Sequence, residues 1–168
     1  MLKKSVIALF CVLFPALMTA QDKFGHVNRQ DILMEMPEIN ELENKISDLH
    51  TQWKGVIEKM QQEYFAKIQE FQEKQATMPE SIKQAHQSEI IEMEQRINTY
   101  TQTASADIEQ KKNEMLAPVM EKIQKAINEV GAENNYTYIF DLAANSIVYQ
   151  SPKSNDLTPI VKKKLNIK

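Results

Sequence analysis

The chain has 168 residues, with 20 basic and 23 acidic side chains, a formal net charge of −3, one cysteine and three glycines. An acidic balance with no Lys/Arg cluster interleaved with aromatics excludes nucleic-acid binding by phosphate neutralisation. A single cysteine excludes an intrachain disulfide or a cysteine-built metal centre, and scarce glycine with abundant Gln, Glu, Lys and Ile suits long helices.

Lys3 and Lys4 precede an apolar run from Val6 to Leu17, which Pro15 breaks near its end, and Thr19-Ala20 follow. That layout predicts a secretory signal peptide over residues 1–20, cleaved after Ala20. The run is about a dozen residues, short of the ~20 that span a bilayer as a helix. Cys11 lies inside it, so residues 21–168 hold no cysteine. Export without disulfides is compatible with a bacterial periplasm. Without Lys3 and Lys4 the 20 basic side chains fall to 18 against 23 acidic, a net of −5.

Residues 24–28, Phe-Gly-His-Val-Asn, read as a short strand, and Arg29 to Met36 as a short helix. Pro37 suits the first turn of the next helix. Ile39, Leu42, Ile46, Leu49, Trp53, Val56 and Met60 follow at spacings that alternate between three and four, a heptad seam. Tyr64, Ile68 and Phe71 extend it. Met78-Pro79-Glu80-Ser81 interrupts the pattern, since a residue before proline is disfavoured in the helical region. A second seam then runs through Ile82, Ile90, Met93, Ile97, Tyr100, Ala104, Ile108 and Met115. Two nearly equal arms around one breaker predict an antiparallel hairpin, each arm reaching roughly 55 Å. Gln75, Gln84 and His86 weaken the seam near the tip.

Pro118 is expected to kink or restart the helix, Val119, Ile123, Ile127 and Val130 to continue an apolar face, and Gly131 to cap its end. Tyr136–Asp141 and Ser146–Gln150 read as two strands of a hairpin turning at 143–145. Asn155 or Asp156 caps a final helix over 157–165. The predicted class is mostly α with a small β component. A long coiled-coil hairpin, residues 39–116, is inserted in a small three-stranded α+β body of residues 21–38 and 117–168. So thin a core is completed by oligomerisation.

In order along the chain, Phe24-Gly25-His26-Val27-Asn28-Arg29-Gln30 with Met36-Pro37-Glu38, Leu116-Ala117-Pro118-Val119 with Lys122-Ile123, Tyr136–Asp141, Ile147-Val148-Tyr149 and Asp156-Leu157-Thr158 resemble the Skp/OmpH periplasmic chaperones. The resemblance implies a homotrimer whose hairpins hang as tentacles around a cavity. It also implies an ATP-independent holdase that binds unfolded outer-membrane β-barrel proteins and keeps them from aggregating in transit. Lipopolysaccharide or anionic-lipid binding, linked to basic members, is not carried over, because residues 41–116 hold 14 acidic and 9 basic side chains.

Adaptable, weakly sticky apolar groups suit promiscuous holding. The client-contact candidates are Met60, Phe65, Phe71, Met78, Ile91 and Met93. Phe65 and Ile91 stand beside the seam, so they are the better candidates for exposure, while residues on the seam also pack the hairpin. Tyr136, Tyr138 and Phe140 share one strand face by period two. With Val27, Ile147 and Tyr149 they are the oligomer-core candidates. No enzyme is expected. The sequence has no phosphate-binding glycine loop or nucleophile elbow, and His26, His50 and His86 are scattered. Neither a metal nor a cofactor is expected. The rival reading is a structural or adaptor coiled coil of the cell envelope with one specific partner.

Overall fold

The structure, a computed structural model, describes residues 22–167. The expected signal peptide and Cys11 lie outside the described residues. In chain order the elements are strand β1 (Phe24–Val27), helices α1 (Arg29–Met34), α2 (Pro37–Lys74) and α3 (Glu80–Glu133), strand β2 (Tyr138–Asp141), a 3-10 turn (Leu142–Ala144), strand β3 (Asn155–Asp156) and helix α4 (Thr158–Lys164). This is the expected class: long helices with a small three-stranded sheet. The contacts divide the described residues into two compact units, one of residues 22–35 with 121–167, the other Met36–Met120.

In the first unit β1 is the central strand, in the order β2-β1-β3. Both neighbours run parallel to it, Phe24 opposite Tyr138 and Gly25 opposite Asn155. The expected hairpin of 136–141 with 146–150 is therefore wrong. Residues 146–150 form no strand, and the third strand is Asn155–Asp156. Two strands that lie parallel to the same central strand cannot be joined by a tight turn. The chain spends residues 142–154 on the return, turning at Asn145 with φ of 51°.

Caps and buried apolar groups hold this unit. The Asn28 side chain accepts hydrogen bonds from the backbone N–H groups of Gln30 and Asp31 and so starts α1. Its own N–H donates to Thr158 Oγ1 at 3.0 Å, tying β1 to the start of α4. The N-cap of α4 is Leu157 and not the expected Asn155 or Asp156, although Asp156 accepts from the Thr158 N–H at 2.9 Å. Asn155 instead donates to the Phe24 carbonyl. Val27, Ile32, Ile123, Val130, Leu157 and Val161 are almost wholly buried.

Of the two outcomes expected at Pro118, a kink or a restart of α3, the restart does not occur; one α-helix runs through. The lost N–H costs one internal bond, and the buried Ile123, Ala126, Ile127 and Val130 downstream hold the helix past it. Nor does Gly131 cap it. The left-handed residue is Asn135, φ 55°, and the Tyr136 N–H closes back on the Gly131 carbonyl at 3.0 Å. What Gly131 provides is room, since a Cβ there would stand 3.0 Å from Ile139 Cδ1.

Gly25 is under a sharper version of the same constraint. A Cβ on it would meet Leu157 Cδ1 at 2.8 Å and Tyr136 Cε1 at 2.9 Å. Leu157 is buried and cannot swing away. Gly25→Val is expected to cost about 2 kcal/mol by overpacking, read as a lower urea midpoint. A Cβ added at Gly55, which has open space for 4 Å, should instead stabilise its helix by about 1 kcal/mol.

In the second unit α2 and α3 are antiparallel. Trp53 meets Tyr100 and Asp107, Lys67 meets Glu89, and Phe71 meets His86. Pro37 opens α2 at its first turn, and Pro79 precedes α3. Leu42, Met93 and Ala104 are buried, and most other seam residues are half-buried. Two helices cannot enclose one another's apolar stripe.

Candidate functional site

Two surfaces carry the chemistry-bearing residues. The first is the outside of the hairpin. Phe65 is 61 % exposed and Ile91 54 % exposed, the outcome their place beside the seam predicts. Phe65 lies against the Tyr64 ring, centroids 5.7 Å apart. Met60, Phe71 and Met78 are half-buried, and Phe71 packs on the His86 ring. Met93, at 9 % exposure, packs the seam. Sequence reasoning passed over Val56, Ile82 and Tyr100 as outward groups because they sit on the heptad seam, yet all three are exposed. A seam that faces one partner helix leaves its flanks open, which periodicity alone does not reveal.

The hairpin also holds two grooves. One, about 570 Å³, is lined by Trp53, Ile57, Ala104 and Ile108 among others. Trp53 is fixed there: its Nε1 donates to Asp107 Oδ2 at 2.9 Å, and its ring meets Tyr100 edge-on. The other, about 420 Å³, is lined by Met60, Met93, Tyr100 and charged neighbours. Exposed ion pairs run along both helices. Lys74 beside Glu70, and Lys111 with Gln110 beside Glu114, hold those two carboxylates below their ordinary range.

The second surface is one face of the small sheet. Phe24, Tyr138 and Phe140 form an aromatic cluster with centroids 6.0 to 6.3 Å apart, all three exposed. Phe24 was not a sequence candidate. Only its parallel pairing with Tyr138, more than a hundred residues away, brings it there. Tyr136 does not share this face, contrary to expectation. Its ring packs over Gly25 and under the Lys23 ammonium, 4.1 Å from the ring centre. Val27 is buried inside its own unit. Ile147 and Tyr149, with Phe24 and Phe140, line a cleft of about 360 Å³ beside the cluster.

His26 lies buried at the floor of that cleft. Its Nδ1 is 2.7 Å from Ser154 Oγ, and its Nε2 is 2.9 Å from Gln150 Nε2 and 3.8 Å from Asp156 Oδ1. Both ring nitrogens are thus engaged in pinning the 150–154 segment onto β1. Burial works against the charge of Asp156, but the Thr158 hydroxyl and N–H outweigh it and hold the carboxyl below its ordinary 3.8. Its stabilising contribution is present above the unfolded value and is lost as pH falls through the folded one. Among the described residues no group of three or more His, Cys, Asp or Glu is placed to hold a metal, and no helix is long and apolar enough to cross a membrane.

A family model described as outer membrane protein (OmpH-like) matches residues 23–165. No curated protein is significantly similar. Among solved structures, the chain is similar to a candidate outer membrane chaperone (OmpH-like) from Caulobacter crescentus CB15, with a TM-score of 0.72 and 11 % identity, over 88 % of this chain and 85 % of that one. At that identity the likeness is one of fold.

Proposed function

The chain belongs to the family of OmpH-like outer membrane proteins, and on that premise we propose that it is an ATP-independent holding chaperone of the periplasm. It binds unfolded outer-membrane β-barrel proteins in transit and prevents their aggregation. The observation that carries this reading is a long two-helix hairpin with large apolar side chains turned outward, Phe65 and Ile91 foremost. Such groups give weak, distributed contacts to many sequences, which is what holding an unfolded chain asks for. Burial of apolar surface supplies the binding free energy, so no nucleotide is required.

In this reading residues 39–116 are the client-holding hairpin, and 21–38 with 117–168 are the oligomerisation body. Three copies join through the aromatic face of Phe24, Tyr138 and Phe140, with Ile147 and Tyr149 at its rim. Residues 1–20 direct export. The acidic hairpin makes attraction to lipopolysaccharide or other anionic lipid weak.

A urea-unfolded outer-membrane barrel diluted into nucleotide-free buffer with increasing protein tests the proposal by light scattering. Suppression that saturates near one trimer per client is expected. No suppression by folded, helical protein favours an envelope adaptor with one specific partner.

A further inference from the structure

Resting on the client-holding reading, we infer that the groove between α2 and α3 bordered by Lys59 and Arg96 is a site for the C-terminal carboxylate of an apolar peptide segment. The cations of the hairpin are not alike. Lys45, Lys54, Lys67, Lys74, Lys83 and Lys111 each stand within ion-pair distance of a hairpin carboxylate. Within residues 41–116 this leaves Lys59, Arg96 and Lys112 without a carboxylate partner among the described residues. Two of these three line the same groove of about 420 Å³.

Its other walls are Met60, Met93 and Tyr100, and Glu63 is its one carboxylate. The groove is therefore locally positive by one charge, in a hairpin that is acidic overall. An apolar floor beside two uncommitted cations fits a ligand that carries an apolar group and an anion close together. A C-terminal residue with an apolar side chain does so on a single carbon. Its side chain lies against the adaptable Met60 and Met93. Its carboxylate takes charge-assisted hydrogen bonds from the Arg96 guanidinium and the Lys59 ammonium. The surrounding unpaired carboxylates disfavour an anionic bilayer at this distance, because their repulsion acts within a Debye length. They oppose a single peptide terminus far less.

The test uses a fluorescent peptide ending in an aromatic residue, made both as the free acid and as the C-terminal amide, titrated against the purified protein by anisotropy. The acid is expected to bind about fivefold tighter than the amide, as two exposed ion pairs would give. The preference should narrow with added salt and vanish in the double variant Lys59→Gln/Arg96→Gln. Both side chains are solvent-facing, so the variant keeps its helical circular dichroism. Lys112→Gln, at the third unpartnered cation, retains the preference. Equal binding of acid and amide overturns the inference, as does a preference that survives the double variant. Binding to anionic vesicles that depends on Lys59 and Arg96, with no acid preference, reassigns the groove to lipid and overturns it too. Aggregation suppression measured on the same samples separates the two claims. A lost acid preference with suppression intact sinks the groove alone, and absent suppression sinks the holding reading.

Discussion

Ile123→Ala is expected to lower the stability of the folded chain by about 3 kcal/mol. Ile123 is 0 % exposed, and deleting buried methyl groups from a site that collapses only partly costs roughly 2–5 kcal/mol. Alanine is the better helix former, which returns a few tenths of a kcal/mol; the cavity term wins by an order of magnitude. The neighbours on the same helical face, Ala126, Ile127 and Val130, are themselves buried, so little can move in to fill the space. A urea titration followed by circular dichroism should show a lower midpoint with an unchanged slope. Ile160→Ala, at a half-exposed position on α4, serves as the comparison and should shift the midpoint by less than about 1 kcal/mol. Equal shifts for the two would mean that the body is not packed around Ile123.

The double variant Phe65→Ser/Ile91→Ser should behave in the opposite way, keeping stability and losing function. Both side chains are more than half exposed, so their removal leaves no cavity. Each gives up roughly 1 kcal/mol of apolar surface that a bound client would cover. The concentration needed for half-suppression of barrel aggregation should therefore rise by about thirtyfold, with the urea midpoint unchanged within about 0.5 kcal/mol. A Met93→Ala variant separates the roles, since Met93 packs the seam and its loss should loosen the hairpin itself. Full chaperone activity in the double variant would place client contact elsewhere.

These two expectations rest on features of unequal legibility. The hairpin announces itself, because alternating three- and four-residue spacing over Ile39 to Met60 can mean little other than a helix seam, and Pro79 marks its turn. The sheet does not. Ser146–Gln150 has the alternation and β-branched residues of a strand yet lies in a connection, while Asn155–Asp156 is polar, two residues long and a true strand. Its strand character comes from the free edge of β1, which is more than a hundred residues distant and leaves no local trace. Asn135 likewise took the left-handed position that composition suggested for Gly131, because Gly131 is needed where Ile139 packs against the helix. On the candidate surfaces, standing beside the seam marked Phe65 and Ile91 as outward groups. Period two placed Tyr136 with Tyr138 and Phe140, whereas the strand begins at Tyr138 and Tyr136 packs over Gly25. The aromatic cluster needed the β1–β2 pairing to become visible at all.

Site-specific photo-crosslinking is the most direct test of client contact along the hairpin. A photoreactive phenylalanine analogue is placed at Phe65 or Ile91, and in a separate variant at Val148, an exposed residue of the first unit. Each is mixed with an unfolded outer-membrane barrel and irradiated. Crosslinks to several unrelated barrels from positions 65 and 91, and few from 148, are the predicted result. Crosslinks confined to 148, or none from 65 and 91 while the barrel remains soluble, would contradict it.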